Sequence, residues 1–71
     1  MPRRLTYKEI VSVLKDNGFE QIAQKGSHQK WRNAETGAVT IVPCHGNAPV
    51  PIGTIYSIIR ASKLDKGFFG S

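Results

Sequence analysis

His28-Gln29-Lys30-Trp31-Arg32-Asn33 and Ala38-Val39-Thr40-Ile41-Val42-Pro43 flank the turn-forming run Ala34-Glu35-Thr36-Gly37. Both flanks alternate in character from one residue to the next. With a glycine-containing connection between them, they read as the two strands of one antiparallel ribbon, residues 28 to 33 and 38 to 43. Successive strand side chains point to opposite faces, so His28, Lys30 and Arg32 share one face and Gln29, Trp31 and Asn33 the other. In the second of these strands Val39 and Ile41 oppose Ala38, Thr40 and Val42. Placing Trp31, Val39 and Ile41 against a core covered by helices leaves His28, Lys30 and Arg32 facing outward.

Working upstream, Phe19 to Lys25 reads as a further strand, with Ile22 its inward residue and Gly26 ending it or introducing a bulge. Before it, Leu5-Thr6-Tyr7-Lys8-Glu9-Ile10 carries a complete helix-start signal. Thr6 is the N-cap, Glu9 its capping-box partner, and Leu5 packs on Ile10. Ile10, Val13 and Leu14 form the apolar face of a helix that starts at Tyr7 and stops at Asn17-Gly18, where glycine accepts the left-handed conformation. Downstream, the three prolines from Pro43 to Pro51 make a rigid loop that returns the chain to the covered side of the sheet. A second helix then places Ile52, Ile55, Ile58 and Ile59 on one stripe and ends near Ser62. Leu64, Phe68 and Phe69 complete the core or remain as an exposed patch. The order α-β-β-β-α describes an α+β fold, a three-stranded antiparallel sheet with two helices on one face.

The 71 residues suffice for one domain, spanning 1–71, with a thin core. One cysteine, Cys44, excludes an internal disulfide framework, and no Cys/His set has zinc spacing, so neither a metal nor another cofactor is expected. No apolar run approaches the roughly 18 residues of a membrane span, and none resembles an export signal; the cytoplasm is the expected location, with no membrane partner. Ten Lys and Arg against five Asp and Glu give a formal charge of +5. That balance favours polyanions and makes nucleic acid the leading partner class.

The only two histidines lie in Gly26-Ser27-His28-Gln29-Lys30-Trp31 and Val42-Pro43-Cys44-His45-Gly46, segments that the ribbon sets side by side. Histidine is the side chain whose free pKa lies near neutrality, and cations beside it suit phosphate chemistry. These two segments, followed by Gly53-Thr54 opening an isoleucine-rich helix that ends in Arg60-Ala61-Ser62-Lys63-Leu64, resemble the HicA toxin family, the small RNA-cleaving members of HicA/HicB toxin-antitoxin pairs. The resemblance runs from about Leu5 to Leu64. It implies a double-stranded-RNA-binding-domain-like fold, metal-independent cleavage of mRNA, a catalytic histidine at His28, and a cognate HicB-type antitoxin covering the His28 face. One stretch departs from the family pattern: Asn47-Ala48-Pro49-Val50-Pro51 stands where many members carry lysine or another charged residue. The expected consequence falls on substrate affinity or cleavage preference more than on the reaction.

Cleavage without a metal needs a base for the ribose 2′-hydroxyl, an acid for the leaving oxygen and cations for the charge on phosphorus. His28 takes the acid or base role, with Lys30 and Arg32 as phosphate binders. His45 is either a second proton-transfer group or RNA contact, or a turn residue bonded to backbone. Ser27 bonds a phosphate or orients the imidazole, or is there for its small size. Lys8, with Arg3, Arg4 and Lys15, forms a basic region suited to tracking an RNA backbone, or a solvated face. Backbone amides near Gly53 and Thr54 offer another phosphate contact. Cys44 reads as a spectator thiol and Trp31 as core. The competing functions are a non-catalytic RNA-binding module, for which the cations alone suffice, and a small regulatory protein whose basic face meets an acidic protein.

Overall fold

The computed structural model describes residues 5–44 and 48–69. Helix α1 (Tyr7–Asp16) is followed by strands β1 (Phe19–Lys25), β2 (His28–Asn33) and β3 (Val39–Pro43), then by helix α2 (Ile52–Ser62) and a short 3₁₀ turn at Lys66–Phe69. The strands form one antiparallel sheet in the order β1-β2-β3. One face of that sheet carries both helices, and the other is open.

The start of α1 follows from four residues. The Glu9 backbone N–H donates to Thr6 Oγ1, and the Thr6 N–H donates back to Glu9 Oε1 at 3.0 Å, so the capping box is closed. Leu5 and Ile10 are both buried in the core beneath it. At the other end Asn17 is the C-cap, and Gly18 turns the chain into β1 at φ +87°, which a side chain would oppose. The exit from the long loop is tied to the same place, because the Val50 N–H donates to the Leu5 carbonyl at 2.7 Å. The chain thus re-enters the helical layer beside the start of α1 and continues into α2.

Two turns set the register of the sheet. Between β1 and β2 only Gly26-Ser27 intervene, with Gly26 at φ +60°, as a type II′ turn requires. Between β2 and β3, the Gly37 N–H bonds the Asn33 carbonyl while the Asn33 N–H bonds the Ala38 carbonyl. Gly37, at φ +75°, is the extra residue of a bulged turn. This turn pairs Trp31 with Thr40, Lys30 with Ile41 and Arg32 with Val39.

The core unites Ile10, Val11 and Leu14 of α1, Trp31 and Val42 of the sheet, Ile55, Ile58 and Ile59 of α2, and Phe69. Two sequence expectations are corrected. Val39 and Ile41, expected to join Trp31 inside, are 37 % and 46 % exposed, while Ala38, Thr40 and Val42 face the helices. The cause is the turn: directly paired residues share a face, so Thr40 follows Trp31 inward and its neighbours point out. Ile22, the expected inward residue of β1, is 50 % exposed. It is the unpaired residue where the register shifts between Gln21 and Ala23, and Phe19 fills the core instead. The tail divides: Phe69 is buried and Leu64 partly buried, whereas Phe68 is exposed.

Candidate functional site

The open sheet face is built by strand alternation. His28, Lys30 and Arg32 of β2 are all exposed, and their intervening neighbours Gln29, Trp31 and Asn33 are all buried. Residues two apart on a strand lie about 7 Å apart, so an imidazole, an ammonium and a guanidinium follow one another along a single line. A shallow groove beside His28 is lined by Ala23, Lys25, Gly26, Ser27, Lys30 and Ile41. The cations in this lining favour an anion.

The buried side of β2 holds this face rigid. Gln29 Oε1 accepts from the Tyr7 hydroxyl at 2.6 Å and from Trp31 Nε1 at 3.3 Å, tying β2 to the first turn of α1. Asn33 Nδ2 donates to the Asn17 carbonyl, and its Oδ1 accepts from the Glu35 and Thr36 N–H groups. The two ends of β2 are therefore clamped from below by side-chain amides, whose hydrogen bonds are retained because those groups are withdrawn from water. Burial, and then the neighbouring Cys44 thiol, push the Tyr7 hydroxyl above its ordinary pKa of 10.0. Lys15 Nζ sits 6.0 Å from the centre of the Trp31 ring, on the helical side of the sheet.

The residues singled out in the sequence divide accordingly. His28, Lys30 and Arg32 share the open face, with Ser27 half-buried at its edge in the turn before His28. The backbone N–H of Cys44 donates to the Ser27 carbonyl, so the β3 end of the Pro-Cys-His segment is fastened beside the Gly-Ser-His segment. His45 lies outside the described residues, as do Arg3, Arg4 and Asn47. Lys8 is exposed on α1, in the other layer, and does not share the groove of His28. Gly53 and Thr54 lie in the first turn of α2, whose start has no side-chain cap. Trp31 packs in the core as expected, and Cys44 is a free, half-buried thiol. Lys25 was not singled out, yet the β1–β2 register sets it directly opposite His28. The two-residue turn Gly26-Ser27 was the signal for that pairing. Among the described residues no three of His, Cys, Asp and Glu converge as metal ligands.

Fold and face together define a small basic α-β-β-β-α protein whose sheet presents a cationic, histidine-bearing surface to solvent. The family model for the HicA toxin of bacterial toxin-antitoxin matches residues 7–64. The chain belongs to the HicA toxin family and is the toxin partner of a cognate antitoxin. No match was found among curated proteins.

Proposed function

We propose that this toxin is an endoribonuclease that cleaves mRNA in the cytoplasm without a metal, and that a HicB-type antitoxin silences it by covering the His28 face. The observation that carries the reading is the line of His28, Lys30 and Arg32 along the uncovered side of β2, beside a groove that Lys25 and Ser27 also line. A phosphodiester lying in that groove meets cations on the non-bridging oxygens and an imidazole at the reacting edge. The ribose 2′-oxygen bonds to phosphorus as the bond to the 5′-oxygen breaks. His28 takes the 2′-hydroxyl proton or supplies one to the leaving oxygen, and His45 is proposed for the complementary transfer. Lys30 and Arg32 stabilise the charge that builds on the phosphoryl oxygens. Ser27 bonds a phosphate oxygen or steadies the imidazole. Among the described residues no helix is long and apolar enough to cross a membrane.

The decisive assay incubates the purified toxin with mRNA in EDTA beside a His28→Ala variant. Loss of a general acid-base group lowers the cleavage rate by about 10²-fold or more. Equal cleavage by the two proteins removes His28 from the mechanism. Salt-sensitive RNA binding with no products from either would instead assign a binding module of the same fold, in which the cations alone serve.

A further inference from the structure

Among the described residues β3 ends the sheet, and no backbone hydrogen bond engages its outer edge. The Asn33 N–H bonds the Ala38 carbonyl and the Cys44 N–H bonds the Ser27 carbonyl, with an unbroken register between them. Antiparallel ladders bond alternate residues, so Ala38, Thr40, Val42 and Cys44 are the residues bonded to β2. The N–H and C=O groups of Val39 and Ile41 consequently point away from β2. Their side chains lie on the open face as two neighbouring exposed aliphatic groups, available to a surface laid against them. The opposite edge is less receptive, because β1 is interrupted by the bulge at Ile22 and is lined by glutamine and charged residues.

We infer that the outer edge of β3 receives an extended, acidic segment of the cognate antitoxin as a fourth strand of the sheet. This deepens the antitoxin part of the proposed function and rests on it. Charge selects the occupant. On the open face Ile41 is paired with Lys30 and Val39 with Arg32, so a fourth strand lies about 10 Å from the backbone of those cations, two strand spacings away. Long cationic side chains cross that span over the aliphatic surface of Val39 and Ile41 to reach carboxylates on the incoming strand. A second copy of this chain, paired β3 to β3, offers those cations Val39 and Ile41 in place of carboxylates, in a molecule that already carries +5. On the inner side the incoming strand meets a groove between β3 and α2 lined by Thr40, Thr54, Ser57, Ile58 and Ala61. Thr40 is 2 % exposed and its hydroxyl has no hydrogen-bond partner there, leaving a polar group for an inward side chain of that strand.

Amide hydrogen exchange on the unsubstituted toxin, alone and with its cognate antitoxin, tests this directly. Exchange at Val39 and Ile41 slows by about 100-fold or more in the complex, while the β1 edge is unaffected. Val39→Pro removes one outward N–H without touching a ladder bond and weakens antitoxin binding about tenfold, whereas Val39→Thr keeps that N–H and costs about threefold or less. Affinity also falls as salt rises from about 50 to 200 mM. Unchanged exchange at both amides in the complex overturns the inference, and remains decisive should the proline variant fail to fold. Protection of the same amides in the toxin alone, with a dimeric mass, assigns the edge to a second copy instead. Salt-independent affinity overturns the acidic assignment. Absence of RNA products from the parent would sink the nuclease reading while leaving the exchange result standing, so the two failures are separable.

Discussion

Asn33 joins three parts of the molecule through one buried carboxamide. Its Nδ2 closes the end of α1, and its Oδ1 holds two N–H groups of the turn into β3. Three net hydrogen bonds at about 1 kcal/mol each put the cost of Asn33→Ala at about 2–3 kcal/mol, with a loss of roughly 10 °C or more in thermal midpoint for a chain of this size. The same variant loosens the register that exposes Lys30 and Arg32, so the proposed RNA cleavage falls with stability on heating. Tyr7 provides a pH signature at the other end of β2. Its folded-state pKa is raised above the unfolded value near 10, so the folded form holds the proton more tightly. The stability this contributes is fully present below the unfolded pKa and is lost as pH rises through the folded one. Denaturant midpoints measured at about pH 9 and 11 therefore fall further for the parent than for Tyr7→Phe, which has no proton to lose.

At the scale of elements, α2 ends without the residue that suits its ending. Lys63 is the C-cap at φ +61°, a left-handed conformation that costs an ordinary side chain about 1 kcal/mol relative to glycine. Ser62 compensates in part, accepting the Leu64 N–H while donating to the Ile59 carbonyl. Lys63→Gly is expected to stabilise the fold by about 0.5–1 kcal/mol in thermal unfolding, with the proposed cleavage unchanged, since Lys63 caps α2 in the helical layer. The helices were readable because their signals are local: a Thr6–Glu9 box, an apolar stripe, a glycine after the last turn. β2 was equally readable, since its alternation needs only the strand itself, and this is why His28, Lys30 and Arg32 were assigned to one face from sequence. β3 was not. Val39 and Ile41 are more apolar than Ala38 and Thr40, so hydropathy selects the wrong face; the Gly37 bulge sets the phase, and one residue of phase inverts a strand. Ile22 failed for the related reason that a bulge has no compositional signature in β1. The aliphatic character of the open face, and with it the β3 edge, thus emerged only with the register.

For the whole molecule, the distribution of charge between two layers makes the direction of the proposed RNA approach measurable. The sheet face carries Lys25, Lys30 and Arg32 around His28, while Lys8 and Lys15 stand on α1, behind the sheet, and Lys15 lies over Trp31. RNA that lies on the sheet face displaces counterions through the first set only. Each phosphate contact contributes about 0.7 to 0.9 to the slope of log affinity against log salt concentration, so neutralising one contact lowers the slope by nearly one. With His28→Ala protein as background, to prevent turnover, titration of an RNA oligonucleotide between about 50 and 200 mM salt gives this slope. Lys30→Gln and Arg32→Gln each lower it by nearly one, and together by nearly two, if as proposed they contact separate phosphates. Lys8→Gln leaves it unchanged. A drop of nearly one for Lys8→Gln would mean that the RNA wraps from the sheet onto α1, and equal slopes for all variants would move the RNA off the His28 face altogether. The salt slope thus reads binding geometry independently of the proposed catalysis, which the His28 substitution is designed to take out of the measurement.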